Sequence, residues 1–187
     1  MAKGVSKSRG QVFSGEFIIG FLLFMACLAL LLSLWDSSTR DILVAENLRS
    51  LEDHAVDAAE QLVRTPGFPA EWTVGNVTSV GLANESRVLS GRKLKEFVRY
   101  IRDNESNLCG SGSNYECNMH MLGVGGYYVY FNISYFNGST ASVDGMNIFS
   151  GRRPVNDTQR ITVVRTALLN DEMTRVYLTL WTNHSIG

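Results

Sequence analysis

The chain has 187 residues, of which 45% are hydrophobic, with 17 basic and 18 acidic side chains and a formal net charge of −1. That length allows one modest globular domain plus an appended segment, and the near-neutral balance argues against a general nucleic-acid binder. The charge is uneven: Lys3, Lys7 and Arg9 precede the first acid, whereas acids outnumber bases from Gln11 onward.

Residues 1–10 form a basic leader. Phe17 to Trp35 then gives 19 residues without charge or proline, a helix of roughly 28 Å that matches the hydrocarbon core of a bilayer. Basic residues before this run, and Asp36 and Asp41 after it, predict a cytoplasmic N-terminus and an external remainder, with Trp35 in the outer interfacial belt. A cleaved secretory signal is the rival reading, but the apolar run is too long for one and no A-x-A pattern succeeds it.

The next stretch is "DSSTRDILVAENLRSLEDHAVDAAEQLVRT", in which Val44, Leu48, Leu51, Ala55, Ala58 and Leu62 recur at helical spacing among polar positions. No proline interrupts the chain before Pro66. The spacing therefore predicts one long helix within residues 11–65, spanning at 17–35 and amphipathic at 36–65. "TPGFP" ends it, because Pro66, Gly67 and Pro69 together break any helix.

Residues 66–187 read as a small head domain with a single core. A second helix is predicted from Gly91 to Asp103, burying Leu94, Phe97, Val98 and Ile101 and presenting Arg92, Lys93, Lys95, Arg99 and Arg102 as a solvated basic side. "YYVYFNISYF" alternates, with Val129, Phe131, Ile133 and Tyr135 on one face and Tyr130, Asn132, Ser134 and Phe136 on the other; Asn137-Gly138 comes next as a hairpin signal. "STASVDGMNIF", "RITVVRTALL" and "MTRVYLTLWT" complete the strand candidates, the last two joined across Asn170-Asp171-Glu172. The expected fold is α+β: a long N-terminal membrane helix, then a head whose antiparallel sheet of about four strands packs on the helix stripe.

Two covalent features bear on this topology. Asn76, Asn84, Asn104, Asn132, Asn137, Asn156 and Asn183 each open an N-x-[ST] sequon. With 13 asparagines and 29 serines plus threonines, chance would give about two such patterns. All seven lie on the side predicted to be external, and Asn132 falls on the strand face from which a glycan could project. Cys109 and Cys117 bracket "GSGSNYE"; oxidised, they would close a small loop worth about 2.5 kcal/mol in the chain-entropy model. Two reduced thiols are the alternative, and zinc binding fits poorly because His120 is the only neighbouring histidine. Cys27, within the apolar run, reads as a small packing residue.

Catalytic chemistry is not advertised. His54, His120 and His184 are scattered, and no H-E-x-x-H, P-loop or G-x-S-x-G pattern occurs. "GVGG" at 123–126 precedes a strand rather than a helix and reads as a flexible connection. No cofactor or metal site is expected.

"RGQVFSGEF" together with the apolar run after it resembles an archaeal class III signal peptide, the processing signal of type IV pilin-like subunits: glycine, glutamine, then Ser-x-Glu before the hydrophobic helix. "PGFPAEWTVGNVTSVGLANESRVLSGRKLKEF" and the ending "VYLTLW" are also similar to such subunits. The resemblance implies a prepilin peptidase that cuts on the cytoplasmic side around Gly10, Gln11 and Val12, so that the helix stays in the mature protein. It implies further that the helices of many pilin subunits leave the membrane and bundle into a cell-surface filament with glycosylated heads outside. The commonest pattern has one residue between glutamine and serine, whereas Val12 and Phe13 both intervene here. Cutting after Gly10 makes Glu16 the sixth mature residue, and cutting after Gln11 makes it the fifth.

A carboxylate in the first helical turn meets the positive end of the helix dipole and lies near the cytoplasmic interface. Beyond being tolerated there, Glu16 could pair with the new α-amine of a neighbouring subunit or its own during assembly. The leading expectation is thus a structural subunit of the minor kind, serving adhesion or surface filament assembly. An uncleaved single-pass anchor with an external binding or sensing head is the runner-up. A membrane-tethered hydrolase comes last, since it needs a pocket of convergent titratable groups.

Overall fold

The computed structural model describes residues 15–102, 114–155 and 159–182. They form helix α1 (Gly15–Arg64), strands β1 (Ala83–Glu85) and β2 (Val88–Leu89), helices α2 (Gly91–Ile101) and α3 (Asn114–Met121), and strands β3 (Tyr128–Tyr135), β4 (Ser142–Val143), β5 (Met146–Asn147), β6 (Phe149–Gly151), β7 (Gln159–Leu169) and β8 (Glu172–Thr182). The chain divides into two compact units, residues 1–45 and 46–187.

In the first unit the described residues are helical, and their described side chains are exposed. The weak helix formers of "DSST" do not interrupt α1. Thr39 Oγ1 donates to the Trp35 carbonyl at 2.9 Å, and Arg40 pairs with Asp36 at 2.9 Å one turn away. Both contacts lie within the helix, so the polar side chains are satisfied without competing for a turn.

The second unit holds the core. Leu51, Ala55, Ala58, Ala59, Leu62 and Val63 of α1 are buried in one cluster with Val163 and Ala167 of β7 and Val176, Leu178 and Leu180 of β8. The expected stripe is therefore buried from Leu51 onward, but Leu48 is 40% exposed. Alanine at three of these positions lets the helix lie close to the sheet. Arg165 of β7 reaches the same helix and donates to Glu60 at 2.6 Å, and Arg64 pairs with the second Glu60 oxygen at 2.5 Å.

The sheet has six strands in the order β1-β2-β7-β8-β3-β6, not the expected four, and its β2–β7 contact is parallel while the other pairs are antiparallel. The additional strands β1 and β2 are three and two residues long, too short to leave an alternating pattern in sequence. β7 and β8 pair along their full length from Gln159↔Thr182 to Leu169↔Glu172. Asn170 and Asp171, at φ 52° and 64°, form the two-residue turn between them. Positive φ at both central residues is what a type I′ hairpin requires, and Asn and Asp tolerate it.

"STASVDGMNIF" is not one strand. Asp144 and Gly145 take φ 49° and 77°, so Asp-Gly closes a separate β4–β5 hairpin before the chain returns to the sheet as β6. Asn137-Gly138 does turn the chain back: Gly138 N–H bonds the Tyr135 carbonyl at 3.0 Å and Tyr135 N–H bonds the Ser139 carbonyl at 2.9 Å.

Lys93 is 2% exposed and Nζ donates to the Ala83 carbonyl at 2.8 Å, so it belongs to the buried side of α2. Burial lowers its pKa. The other bases of α2 are largely engaged: Arg92 with Glu71, Lys95 with Asp144 and Arg99 with Glu96. "GVGG" includes a helix stop rather than a mere connection. Gly123, at φ 80°, comes after α3, with Gly123 N–H on the His120 carbonyl at 3.0 Å and Val124 N–H on the Met119 carbonyl at 2.9 Å. This is a Schellman closure, with buried Met119 and Val124 as its apolar contact. Tyr100 and Asn118 join α2 to α3 by reciprocal bonds, Tyr100 O–H to the Asn118 carbonyl at 2.7 Å and Asn118 Nδ2 to the Tyr100 carbonyl at 2.6 Å.

After α1 the chain crosses itself at two glycines. At Gly67, φ 76°, an added Cβ would lie 2.6 Å from the Ser79 carbonyl oxygen, and at Gly81 it would strike the Thr65 carbonyl and the Gly67 amide. Trp72 fills the space beside the crossing, fully buried, with its indole N–H on the Gly81 carbonyl at 2.8 Å.

Replacing Gly81 by Ala is expected to destabilise the head by about 3 kcal/mol in thermal or denaturant unfolding, because backbone must move. Gly75→Ala, with nothing near its Cβ, should stay within about 0.5 kcal/mol.

The Glu60 carboxyl is held below its usual range chiefly by the hydrogen bond from Arg165, opposed by partial burial and helped by the charges of Arg64, Arg165 and Arg87. A lowered native pKa adds stability above the unfolded value, and that stability is lost as pH falls through the native one. Glu60→Gln should cost about 1 kcal/mol at neutral pH. It should also flatten the fall in melting temperature on acidification; an unchanged acid profile would show that the pair is not coupled to folding.

Candidate functional site

The sequence places candidate function in two regions, the start of α1 and the surface of the head. Of the first, Gly10, Gln11 and Val12 lie outside the described residues, as do Lys3, Lys7 and Arg9. Glu16 sits in the first turn of α1, exposed. The four N-terminal amides of a helix lack intrahelical partners and carry partial positive charge, so the turn is electrostatically suited to a carboxylate.

Immediately after it, Phe17, Ile18, Ile19, Phe21, Leu22 and Leu23 are each about half exposed or more, and exposure of large apolar side chains continues to Trp35 at 77%. The helix is long and apolar enough to cross a membrane by length and composition. Its apolar surface is unbroken around the circumference, unlike the one-sided stripe from Leu51 onward. Such a surface is compatible with a membrane anchor. Cys27 on this segment is a free, exposed thiol.

On the head, Asn76, Asn84 and Asn137 are exposed in turns or at a strand edge. Asn76 Oδ1 accepts the Thr73 amide at 2.7 Å, and Asn137 Oδ1 accepts the Ser139 amide at 2.9 Å. In both, the oxygen stabilises the turn while the side-chain nitrogen stays available. Asn132 is half-buried on the outer face of β3, between Tyr177 of β8 and Phe149 of β6. Asn104, Asn156 and Asn183 lie outside the described residues. Cys117 is buried in α3, and Cys109 lies outside the described residues, so the expected pairing is not placed by the described structure.

The outer sheet face also carries a constellation that the sequence motifs do not single out. Arg152 lies over the rings of Tyr115 and Tyr128, at 4.7 and 5.0 Å, and Arg153 over Tyr130 and Phe149, at 5.6 and 5.9 Å. Arg175 lies 4.3 Å from the Phe136 ring centroid. Alternation in "QRITVVRTALL" puts Arg160 and Thr162 on this face. The legible signal is Arg160 and Arg175 at outward strand positions, each opposite uncharged residues, together with Arg152-Arg153 directly after β6.

Among the described residues, no group of three or more His, Cys, Asp or Glu side chains is arranged to hold a metal ion. Comparison with protein-family models, with curated proteins and with solved structures finds no match.

The geometry ranks the four described sequons by access. Glycopeptide mass spectrometry of the protein from its native cells should find Asn76, Asn84 and Asn137 occupied to a greater extent than half-buried Asn132; the reverse order would mean that access on the folded head does not govern modification.

Proposed function

We propose that the chain is a structural subunit, of the minor kind, of an archaeal type IV pilus-like surface filament. It is cut by a prepilin peptidase ahead of its apolar helix and assembles with other pilin subunits through that helix, leaving the head outside the cell for adhesion. The observation that carries this reading is the contrast along α1. From Phe17 to Trp35 the large apolar side chains are exposed, whereas from Leu51 the same helix is part of the head's core.

An apolar helix surface with no cover of its own suits lipid before assembly and like helices afterwards. "RGQVFSGEF" ahead of it supplies the residue types for cleavage on the cytoplasmic side. Glu16 then lies within a few residues of the new α-amine, and in an apolar bundle a carboxylate is tolerated when a cation neutralises it. The sequons fit an external, glycosylated head, and a Cys109–Cys117 bond would suit an oxidising exterior.

N-terminal mass spectrometry of protein from membranes and from sheared surface filaments tests the reading. A start at Gln11 or Val12 in the filament fraction is expected. An intact Met1 or Ala2 in membranes, with nothing in filaments, would instead make the chain an uncleaved anchor with an external binding or sensing head. In the same cells Glu16→Gln should leave membrane insertion unchanged and cut incorporation into filaments severalfold; equal incorporation would remove the assembly role of the carboxylate.

A further inference from the structure

Among the arginines of the second unit two groups stand apart, with Arg49, Arg87 and Arg102 in neither. Arg64, Arg92, Arg99 and Arg165 pair with Glu60, Glu71 or Glu96. Arg152, Arg153, Arg160 and Arg175 form no ion pair among the described residues, and all lie on or beside the outer sheet face. At the described positions of β3, β6, β7 and β8 that face carries no Asp or Glu; Glu85 of β1, in the row Glu85, Val88, Leu168 at the sheet edge, is its one acid among the described strand residues.

In the middle of the face, one cross-strand row reads Gly151, Tyr130, Thr179, Thr162. Small side chains at three of its four places leave an open depression, lined by Tyr130, Arg153, Pro154, Arg160, Thr162 and Thr179. Thr162 and Thr179 share a hydroxyl–hydroxyl bond of 2.9 Å; Thr179 is buried, and the exposed Thr162 hydroxyl keeps an acceptor lone pair for a ligand.

From this arrangement we infer that the head binds a carboxylate-bearing polysaccharide, a polyuronate chain, along the depression between Arg153 and Arg160. A guanidinium offers a planar fork of donors that matches a carboxylate, and it is more weakly hydrated than an ammonium. Exposed arginines without acidic partners provide the complementary charge, and the threonine and tyrosine hydroxyls provide hydrogen bonds for sugar hydroxyls. The depression is open rather than enclosed, which suits a polymer that passes through more than a small molecule that must be buried. A nucleic acid would need free ring faces for its bases. Here Arg153 already covers Tyr130 and Phe149, so the face turns guanidinium N–H outward rather than aromatic surface.

The biological source of such a polymer rests on the external head proposed above, but binding does not depend on cleavage or assembly. The test uses the full chain, made without N-glycosylation and held in uncharged-detergent micelles, on immobilised polygalacturonate at physiological ionic strength. Retention is expected on polygalacturonate and not on its methyl ester. Arg153→Gln with Arg160→Gln should weaken binding at least about tenfold, with an unchanged melting temperature. Arg49→Gln with Arg102→Gln removes the same charge elsewhere and should change it less than about twofold.

No retention, equal retention on the methyl ester, or equal loss from either double variant would overturn the inference. Equal binding to polyglutamate would reduce it to charge alone, and stronger binding to a single-stranded oligonucleotide would reassign the face to nucleic acid. None of these results touches the filament reading, and an intact Met1 in membranes would leave the polygalacturonate result standing.

Discussion

The last turn of α1 presents carbonyls that no further helix can satisfy, because Pro66 has no amide hydrogen and Gly67 turns away. The protein answers from a distant part of the chain: Leu82 N–H bonds the Leu62 carbonyl at 2.9 Å, Arg87 N–H the Val63 carbonyl at 2.8 Å, and Ala83 N–H the Thr65 carbonyl at 3.1 Å. These groups lie beside fully buried Leu62 and Leu82, where an unpaired carbonyl costs about 1–3 kcal/mol. The helix end thereby fixes residues 82–87, and much of the head is built outward from them. Arg87 offers its carbonyl to Leu168 N–H at 2.8 Å, which aligns β2 with β7, and the Ala83 carbonyl takes the buried Lys93 ammonium. The helix cap, the sheet edge and α2 are one hydrogen-bonded system.

That system explains why the glycine crossing is tight. To bring Leu82 and Ala83 against the helix end, residues 66–81 must double back at van der Waals distance, and only glycine admits the approach at 67 and 81. Trp72 closes the gap and anchors the returning strand through the Gly81 carbonyl. The alanine-rich stripe solves the corresponding problem on the sheet side. Small residues at 55, 58 and 59 bring α1 close enough to β7 for Arg165 to reach Glu60. The Glu60 contact and the capped carbonyls, both at the C-terminal end of the stripe, then set the register of a helix that apolar packing alone would let slide.

The sequence discloses the elements with long periodic patterns and conceals those fixed by a few contacts. The alternation of Val129, Phe131 and Ile133 and the stripe at Leu51, Ala55, Ala58 and Leu62 are visible because each repeats one period several times. β1 and β2 are invisible because they exist through bonds to α1 and β7 rather than through their own pattern. Asp144-Gly145 carries a legible I′ signal, but inside a segment whose composition otherwise suits a single strand. Charge alone puts Lys93 on the basic side of α2, yet its backbone position points it at an acceptor 10 residues earlier in the chain. As for the candidate sites, Glu16 and the sequons are legible as short motifs. The arginine–aromatic face is not, since its residues come from four separate strands and the 152–153 segment and converge only when the sheet forms.

The lengths of the outer strands have a further meaning. One edge of the sheet is β1, three residues long, and the other is β6, also three, which the chain enters from the β4–β5 hairpin. Lys95 holds that hairpin by its turn residue Asp144 at 2.6 Å. The short edges cover only part of the long strands behind them: β7 is bridged to β2 at Val88↔Leu168 alone, so the backbone groups of its residues 160–166 that face away from β8 have no ladder partner among the described residues. That stretch of β7 is where an extended segment could add to the sheet, whereas at the opposite edge the β4–β5 hairpin stands beside β6.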